Sequence, residues 1–175
     1  YQPVESAVYL DLHKGSRFVG QQTSSNRHYR VEIELLYVDL ISSQLCGHLT
    51  IHNLTPELPT LITFFESEVI GTKSHSFQTL SWKAGTDIDR NHWSKFDHFR
   101  KYHDCFDKPG FDYRLEHEDV VFMRWKERHL VPDHKLSHVH GASFDGFYYV
   151  CYEPKKRSIT GFYYHNNSEL YQKLV

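Results

Sequence analysis

Apolar and polar side chains alternate along most of this chain, in segments that have the length of β-strands. In residues 29–39 an apolar side chain occupies every second position from Tyr29 to Tyr37, and charged side chains fill the first three positions between them. A period of two places the apolar set on one face of a strand. Residues 45–52 repeat the pattern, so the two segments are predicted to pair as a hairpin. Further strands are predicted at residues 17–23, 61–70, 120–126, 146–153 and 158–164.

One stretch departs from the strand pattern and indicates a helix. The tetrapeptide Thr86-Asp-Ile-Asp89 resembles a capping box, and Trp93, Phe96 and Phe99 follow it at helical spacing. We therefore predict a helical insertion over residues 89–102. Its aromatic face is expected to plug or cover a sheet, because aromatic stripes at helical spacing are usually core. The recurring strands predict an all-β barrel or sandwich in a single domain, residues 1–175.

Composition narrows the possible partners and surroundings. The chain has 175 residues, with 20 Lys and Arg against 22 Asp and Glu, so it lacks the positive field of a nucleic-acid-binding protein. No apolar run approaches the ~18 residues of a membrane span, which argues against insertion in a membrane. The cysteines, three in all, are odd in number and widely spaced, which argues against a disulfide framework. These features predict a protein of the cytoplasm or the nucleus.

A single carboxylate, that of Glu127, is the most informative candidate for chemistry. It follows Val121, Met123 and Trp125 at the same strand parity, so it is predicted to share their apolar face. A carboxylate in apolar surroundings needs a partner, because an uncompensated buried charge is very costly. Two interpretations remain open. Either a neighbour such as Arg124 or Arg128 forms an ion pair with it, or a cationic ligand does.

Two other motifs invite a catalytic or metal-binding interpretation, and both are weak. Ser143 lies in Gly141-Ala-Ser-Phe-Asp145, where the second glycine of a hydrolase elbow is displaced to Gly146 and the following residues read as a strand. We therefore consider a hydrolase that uses Ser143 improbable. The histidines of 134–140 have no second ligand cluster of comparable quality, so no metal or other cofactor is predicted.

Longer strings of residues indicate a family. They are Phe122-Met-Arg-Trp-Lys-Glu127, Leu130-Val-Pro-Asp-His134, Gly141-Ala-Ser-Phe144, Gly146-Phe-Tyr-Tyr149, Thr63-Phe-Phe-Glu66 and Tyr163-Tyr-His165. In these strings, and over residues 16–174 as a whole, the chain resembles the substrate-receptor subunits of the GID ubiquitin ligase, also called the CTLH ligase. The resemblance implies a closed, antiparallel up-and-down β-barrel of about eight strands, lipocalin-like, with helical insertions.

The resemblance also implies a function and a site. Receptors of this family admit the free N-terminus of a client protein, preferably one that begins with proline, into a tunnel through the barrel. The residues that hold the amine correspond to Glu127 and Tyr148, with Gln22 and Ser143 as further polar contacts. The apolar tunnel walls correspond to Val31, Ile51, Leu54, Leu61, Val139, Phe144 and Tyr163.

The implied partners include the ligase itself. In the family, a C-terminal tail docks on an armadillo-like scaffold subunit, and here the corresponding tail is residues 166–175. Such a receptor is not an enzyme, because ubiquitin transfer is left to other subunits, and no zinc-RING spacing is present. The alternative from a different class is a lipocalin-like barrel that carries a small amine or an apolar metabolite.

Overall fold

The computed structural model describes residues 12–56, 59–72, 75–131, 138–139, 142–143, 145–165 and 172–175. Within these ranges the strands are β1 Arg17–Ser24, β2 Arg27–Asp39, β3 Gln44–His52, β4 Thr60–Val69, β5 Val121–Leu130, β6 His138–Val139, β7 Ala142–Ser143, β8 Phe147–Glu153, β9 Ser158–Tyr164 and β10 Gln172–Leu174. Helix α1 is Thr86–Trp93, and short 3₁₀ helices form at Asp97–Tyr102, Leu115–His117 and Pro154–Lys156. The predicted strands are therefore confirmed, with ends that differ by a few residues.

Eight of these strands close into a barrel. Their order around it is β1-β10-β9-β8-β5-β4-β3-β2, and each strand is antiparallel to its neighbours. The two short strands β6 and β7 form a separate hairpin in the connection between β5 and β8. Because neighbours in the barrel follow one another along the chain, the predicted up-and-down topology is confirmed.

The two ends of the barrel differ in the loops that connect their strands. We call one end the mouth: it carries the β1–β2 turn, the β3–β4 loop and the long β5–β8 connection. The opposite end, the base, carries the β2–β3 turn, the β8–β9 turn and the insertion of residues 70–120. None of the helices in the ranges described above is long and apolar enough to cross a membrane.

A β-bulge in β2 corrects one expectation from the sequence. The register with β3 shifts between Leu35 and Tyr37, so an extra residue interrupts the alternation. Leu35 is buried, whereas Tyr37 is 49% exposed and Val38 packs against the core. The prediction that Tyr37 continues the inward-facing series is therefore wrong, because the bulge reverses the direction of every later side chain.

Large side chains fill the barrel towards its base. Phe65 and Trp125 stack with ring centroids 4.4 Å apart, and Phe18 meets Tyr152 edge to face at 6.0 Å. Both stacked rings and Tyr152 are fully buried and belong to one core cluster with Met123. Dense aromatic packing of this kind excludes a passage through the base half.

The insertion forms a second core on the outside of the barrel. Trp93, Phe96 and Phe99 pack with Phe122 of β5 and Tyr149 of β8. Of the two expectations for the aromatic face, covering a sheet is therefore confirmed, and plugging the barrel is wrong. The predicted single helix is wrong in detail, because α1 ends at Trp93 and the remainder is 3₁₀.

The predicted capping box is also wrong. The residue that caps α1 is Gly85, and no side chain caps the helix. The Asp89 carboxylate turns away from the helix end and accepts hydrogen bonds from the backbone N–H and the hydroxyl of Thr79, at 2.7 and 2.6 Å. A tertiary partner has thus replaced the local one that the spacing indicated.

Candidate functional site

The carboxylate of Glu127 lies inside the barrel, in the half nearer to the mouth. Its strand alternates without interruption from Val121, so Glu127 faces inward with Met123 and Trp125 as predicted, and it is only 6% exposed. The register with β4 then shifts after Glu127, where Phe65 pairs with Glu127 but Phe64 pairs with His129. The bulge therefore follows the carboxylate and does not turn it outward.

Thr63 supplies the hydrogen bond that Glu127 makes within the described part of the chain. The threonine hydroxyl donates to Oε2 at 2.5 Å. The two arginines that the sequence offered as ion-pair partners lie elsewhere, since Arg124 meets Glu68 at 3.4 Å and Arg128 meets Glu66 at 3.7 Å. The ion-pair interpretation is therefore wrong. Arg124 has the opposite strand parity to Glu127, and Arg128 is the extra residue of the bulge. Both arginines pair with carboxylates on the outer face of β4.

Burial changes the acidity of this group. Desolvation raises the pKa of Glu127 to about 7, against the opposing effects of the Thr63 hydrogen bond and of the nearby Lys126 charge. At neutral pH the empty site therefore holds a mixture of carboxylate and carboxylic acid. A cation that bound beside it would favour the ionised form and lower the pKa again.

Two buried tyrosines respond to the charge of Glu127, and a buried glutamine bonds to one of them. Burial first, and then the charge of Glu127, raise the pKa of Tyr148 far above its ordinary value, whereas a hydrogen bond from Gln22 opposes the rise. Tyr148 is 2% exposed and Gln22 is 5% exposed. The ring of Tyr163 lies 5.0 Å from that of Tyr148, and burial together with the same carboxylate raises its pKa too. The two phenols therefore stay neutral at physiological pH.

Gly146 fixes the position of Tyr163. Its backbone N–H donates to the Tyr163 hydroxyl at 2.8 Å. A Cβ atom at this position would lie 2.1 Å from the Tyr164 carbonyl oxygen and 2.6 Å from the Tyr163 ring, so only glycine fits. Gly146, which lies one position later than the second glycine of a hydrolase elbow, therefore has a packing role here.

The structure brings together most of the predicted site residues that it describes. Gln22 bonds to Tyr148, whose pKa responds to the charge of Glu127, and of the predicted walls Val31, Ile51, Leu61 and Tyr163 are buried on the inner face. Leu54 packs against the barrel core at the mouth. The side chains of Ser143, Val139 and Phe144 lie outside the described residues. Binding roles for all of these residues stay predictions.

Sequence reasoning missed Thr63 and Ser67, which are polar residues on the inner face of β4. Both alternate with Leu61, Phe65 and Val69, so their parity could have revealed them. Ser67 pairs across the ladder with Trp125, and in the ranges that the structure describes neither Ser67 Oγ nor Trp125 Nε1 has a hydrogen-bond partner. Buried polar atoms normally have partners, so the inner polar surface extends below Glu127.

This arrangement suits a cation that carries an apolar body. An ionisable carboxylate and a neutral phenol supply hydrogen-bond acceptors, and the apolar residues nearer to the mouth surround them. Aromatic side chains pack the barrel on the base side of Glu127, and the mouth is the nearer end of the barrel. Fold and side chains together define a closed β-barrel with a cluster of buried polar groups in its interior.

Comparison with known proteins places this barrel in a family. Residues 11–175 match the family described as Vacuolar import and degradation protein. The Glucose-induced degradation protein 4 homolog of Mus musculus is 51% identical over 164 residues, which cover 93% of this chain and 75% of that protein. The GID complex substrate-recognition subunit 10 of Saccharomyces cerevisiae is 34% identical, covering 95% and 68%. Subunit 4 of Schizosaccharomyces pombe is 31% identical, covering 89% and 85%. The chain belongs to the vacuolar import and degradation protein family.

Proposed function

We propose that this protein is a substrate-recognition subunit of a GID-type ubiquitin ligase and that it binds the free N-terminus of client proteins inside its barrel. Two relatives with 31% and 34% identity carry the name of GID complex substrate-recognition subunits. The observation that carries the finer proposal is Glu127, a buried carboxylate without an ion pair in the described residues, close to a neutral phenol.

A protein N-terminus matches this site in charge and in shape. An α-ammonium group lies at the very end of the main chain. It can therefore enter the barrel ahead of the rest of the peptide. Its pKa of about 7.7–8.0 keeps it charged at neutral pH. A charge-assisted hydrogen bond to Glu127 is about twice as strong as a neutral one.

Proline is the preferred first residue in this proposal. A prolinium nitrogen carries two N–H donors, and the Glu127 carboxylate and the Tyr148 hydroxyl oxygen offer two acceptors. A primary ammonium group brings a third donor, which has to find a partner or lose its hydration. The ring also has a fixed φ, which lowers the conformational entropy lost on binding.

Calorimetric titration with two peptides tests the proposal. One peptide begins Pro-Gly with a free amine, and the other is its N-acetylated form. Acetylation removes the charge and leaves Glu127 without a cation, so we expect heat of binding from the free-amine peptide alone. Equal binding of both peptides would contradict recognition of the amine.

Variants at two glutamates locate the site. Glu127→Gln should weaken the free-amine peptide by roughly 100-fold, because a buried charge-assisted pair is worth about 2–5 kcal/mol when one partner is removed. Glu66→Gln is the matched control, since Glu66 lies on the neighbouring strand, 57% exposed and facing outward. Near-unchanged affinity in a folded Glu127→Gln protein would refute the assignment.

The proposal includes no catalytic step. Ubiquitin transfer belongs to partner subunits, and docking on an armadillo-like scaffold through residues 166–175 stays part of the proposal. Of that segment, Gln172–Leu174 form β10 and Leu174 is buried in the barrel core, whereas Val175 is 58% exposed. Docking would therefore have to use exposed groups such as Val175. A small amine that bound more tightly than any peptide would support the metabolite-carrier alternative instead.

A further inference from the structure

A cleft of about 540 Å³ lies at the mouth of the barrel, and two arginines are among its described lining residues. The turn end of β2 and the loop after β3 line it, with Arg27, Tyr29, Arg30, His52 and Leu54 among the lining residues. The described lining includes two arginines and two histidines but no acidic residue. Tyr29 and Leu54 also pack against the core inside the barrel, so the cleft adjoins the barrel interior.

Arg27 belongs to the inner face of β2. The ladder between β1 and β2 runs without a bulge from the pair of Arg17 and Glu34 to the pair of Ser24 and Arg27. Tyr29 packs inward, and Arg27 lies two residues beyond it, so both side chains leave the same face of the strand. An exposed arginine on the inner face of a barrel is unusual, because inner positions next to a core are normally apolar.

Arg30 and His52, which also line the cleft, share one acidic partner. Glu32 accepts from Arg30 at 3.3 Å and lies 3.0 Å from His52, and both residues lie on the outer parity of their strands. The hydrogen bond with His52 is the main reason why the pKa of Glu32 is lowered. Within the described ranges Arg27 makes no ion pair with any carboxylate. Its charge is therefore the one that faces the entry path without compensation from the described residues.

The register gives the distance from the amine site to Arg27. Gln22, which bonds to Tyr148, pairs directly with Tyr29. Arg27 is two residues further towards the mouth, which is about 7 Å along a strand. An extended peptide that leaves the amine site towards the mouth advances by the same ~3.3 Å per residue. Its third residue therefore reaches the level of Arg27, and the long arginine side chain can also reach the fourth.

We propose that Arg27 makes this receptor prefer clients with an acidic side chain, Asp or Glu, at the third or fourth residue. This inference rests on the proposed function and adds a second recognition point to it. The pair would form at the exposed mouth, where ion pairs contribute little to binding. It therefore tunes the choice among clients and does not replace the amine as the anchor.

Peptides that differ at one position measure the preference. One series begins Pro-Gly-Glu, Pro-Gly-Gln or Pro-Gly-Lys, and a second carries the same three residues at position four. At the position that pairs with Arg27, we expect the Glu peptide to bind about two- to five-fold more tightly than the Gln peptide. The Lys peptide should bind more weakly than the Gln peptide. The preference should fade in 1 M salt, because surface pairs are screened there.

A charge reversal identifies the residue. Arg27→Glu should invert the order, so that the Lys peptide binds more tightly than the Gln peptide and the Glu peptide more weakly than both. Arg30→Glu is the matched control, because Arg30 lies in the same cleft but is 65% exposed and paired with Glu32. It should leave the Glu-over-Gln ratio of the wild type in place.

The outcomes separate this inference from the proposed function. Equal affinities for Glu and Gln peptides in both series, with N-acetylation still abolishing binding, overturn the role of Arg27 and leave the amine site standing. An inversion in Arg30→Glu but not in Arg27→Glu overturns it as well. If N-acetylated peptides bind as well as free ones, the proposed function fails and the inference fails with it.

Discussion

Two buried carboxylates lie on opposite sides of the wall formed by β5 and β8, and their surroundings differ. Asp89, in the insertion outside the barrel, accepts hydrogen bonds from the Thr79 backbone, the Thr79 hydroxyl and the Tyr149 hydroxyl, the last at 2.7 Å. The charge of Arg124 also stabilises its ionised form. Glu127, inside the barrel, has the Thr63 hydroxyl alone among the described groups.

The comparison separates a carboxylate that several protein donors hold from one that a single described donor holds. Desolvation raises the pKa of both residues, so burial by itself does not distinguish them. The difference is in the number of donors. Asp89 has its acceptor capacity used by protein groups, which fixes the insertion to β8. Glu127 has acceptor capacity left among the described groups, on the inner face of the wall, where we propose that the client's amine binds.

Removal of Asp89 should have the largest effect on stability. Asp89→Ala leaves the donors of Thr79 and Tyr149 buried without an acceptor, and we expect the free energy of unfolding to fall by about 3–5 kcal/mol. Urea denaturation followed by fluorescence measures this. Asp87→Ala is the control, since Asp87 is exposed on the same helix. A loss below about 1 kcal/mol would mean that the Asp89 network adds little to the fold.

Glu127 should make stability depend on pH in the opposite sense to a usual carboxylate. Its pKa rises from 4.5 in the unfolded chain to about 7 in the folded protein, so between these values only the folded state keeps the proton. Stability therefore falls as pH rises through this window, by about 3 kcal/mol in all. The Glu127→Gln variant lacks this loss.

The measurement is the difference in unfolding free energy between Glu127→Gln and the unchanged protein. We expect it to grow between pH 4.5 and pH 7.5 in favour of the variant and to stay constant above that range. Other titrating groups cancel in the difference. A difference that stays constant over the whole range would show that folding does not raise the pKa of Glu127, and it would contradict the prediction.

The strand pattern predicted most of the fold because the barrel interior enforces a period of two. It placed Glu127 correctly, since no bulge lies between Val121 and Glu127, and it failed at Tyr37, where the bulge follows Leu35. A bulge depends on how two strands fit, so the sequence of one strand does not reveal it.

The site was harder to predict than the fold. The pattern left the ion pair with Arg124 or Arg128 open, and only the positions of Glu68 and Glu66 on the neighbouring strand exclude it. The prediction for Asp89 failed for the same reason. The spacing indicated a local cap, but packing brings Thr79 close and Asp89 accepts hydrogen bonds from it instead. Both failures concern partners that are distant in sequence, whose contacts follow from the register and from the packing of the insertion.

Tyr148→Phe probes the second acceptor of the amine site. It removes a phenol oxygen that is proposed to accept one prolinium N–H, and an unsatisfied donor costs about 1–3 kcal/mol. We expect affinity for a Pro-starting peptide to fall about tenfold, with Tyr164→Phe on the outer side of β9 as the control. An unchanged affinity, measured by calorimetry, would remove Tyr148 from the site.

Thr63→Val should have the smallest effect, and its pH dependence makes it informative. The substitution keeps the shape of the side chain and removes the hydrogen bond that favours the ionised carboxylate, so the pKa of Glu127 should rise further above 7. At pH 7 a smaller fraction of the free protein then carries the charge that we propose binds the amine. We expect a Pro-starting peptide to bind several-fold more weakly at pH 7.

The weakening, measured as the ratio of the two proteins' affinities, should shrink at pH 8, where Glu127 ionises more fully in the variant. Titration of the amine affects both proteins equally and cancels in this ratio. Calorimetry at the two pH values separates this cause from a distorted pocket, which would weaken binding equally at both. An equal loss would mean that Thr63 shapes the site without tuning its charge. A loss confined to pH 7 would show that a single hydroxyl holds Glu127 near the point where it can change its charge on binding, which the well-paired Asp89 cannot do.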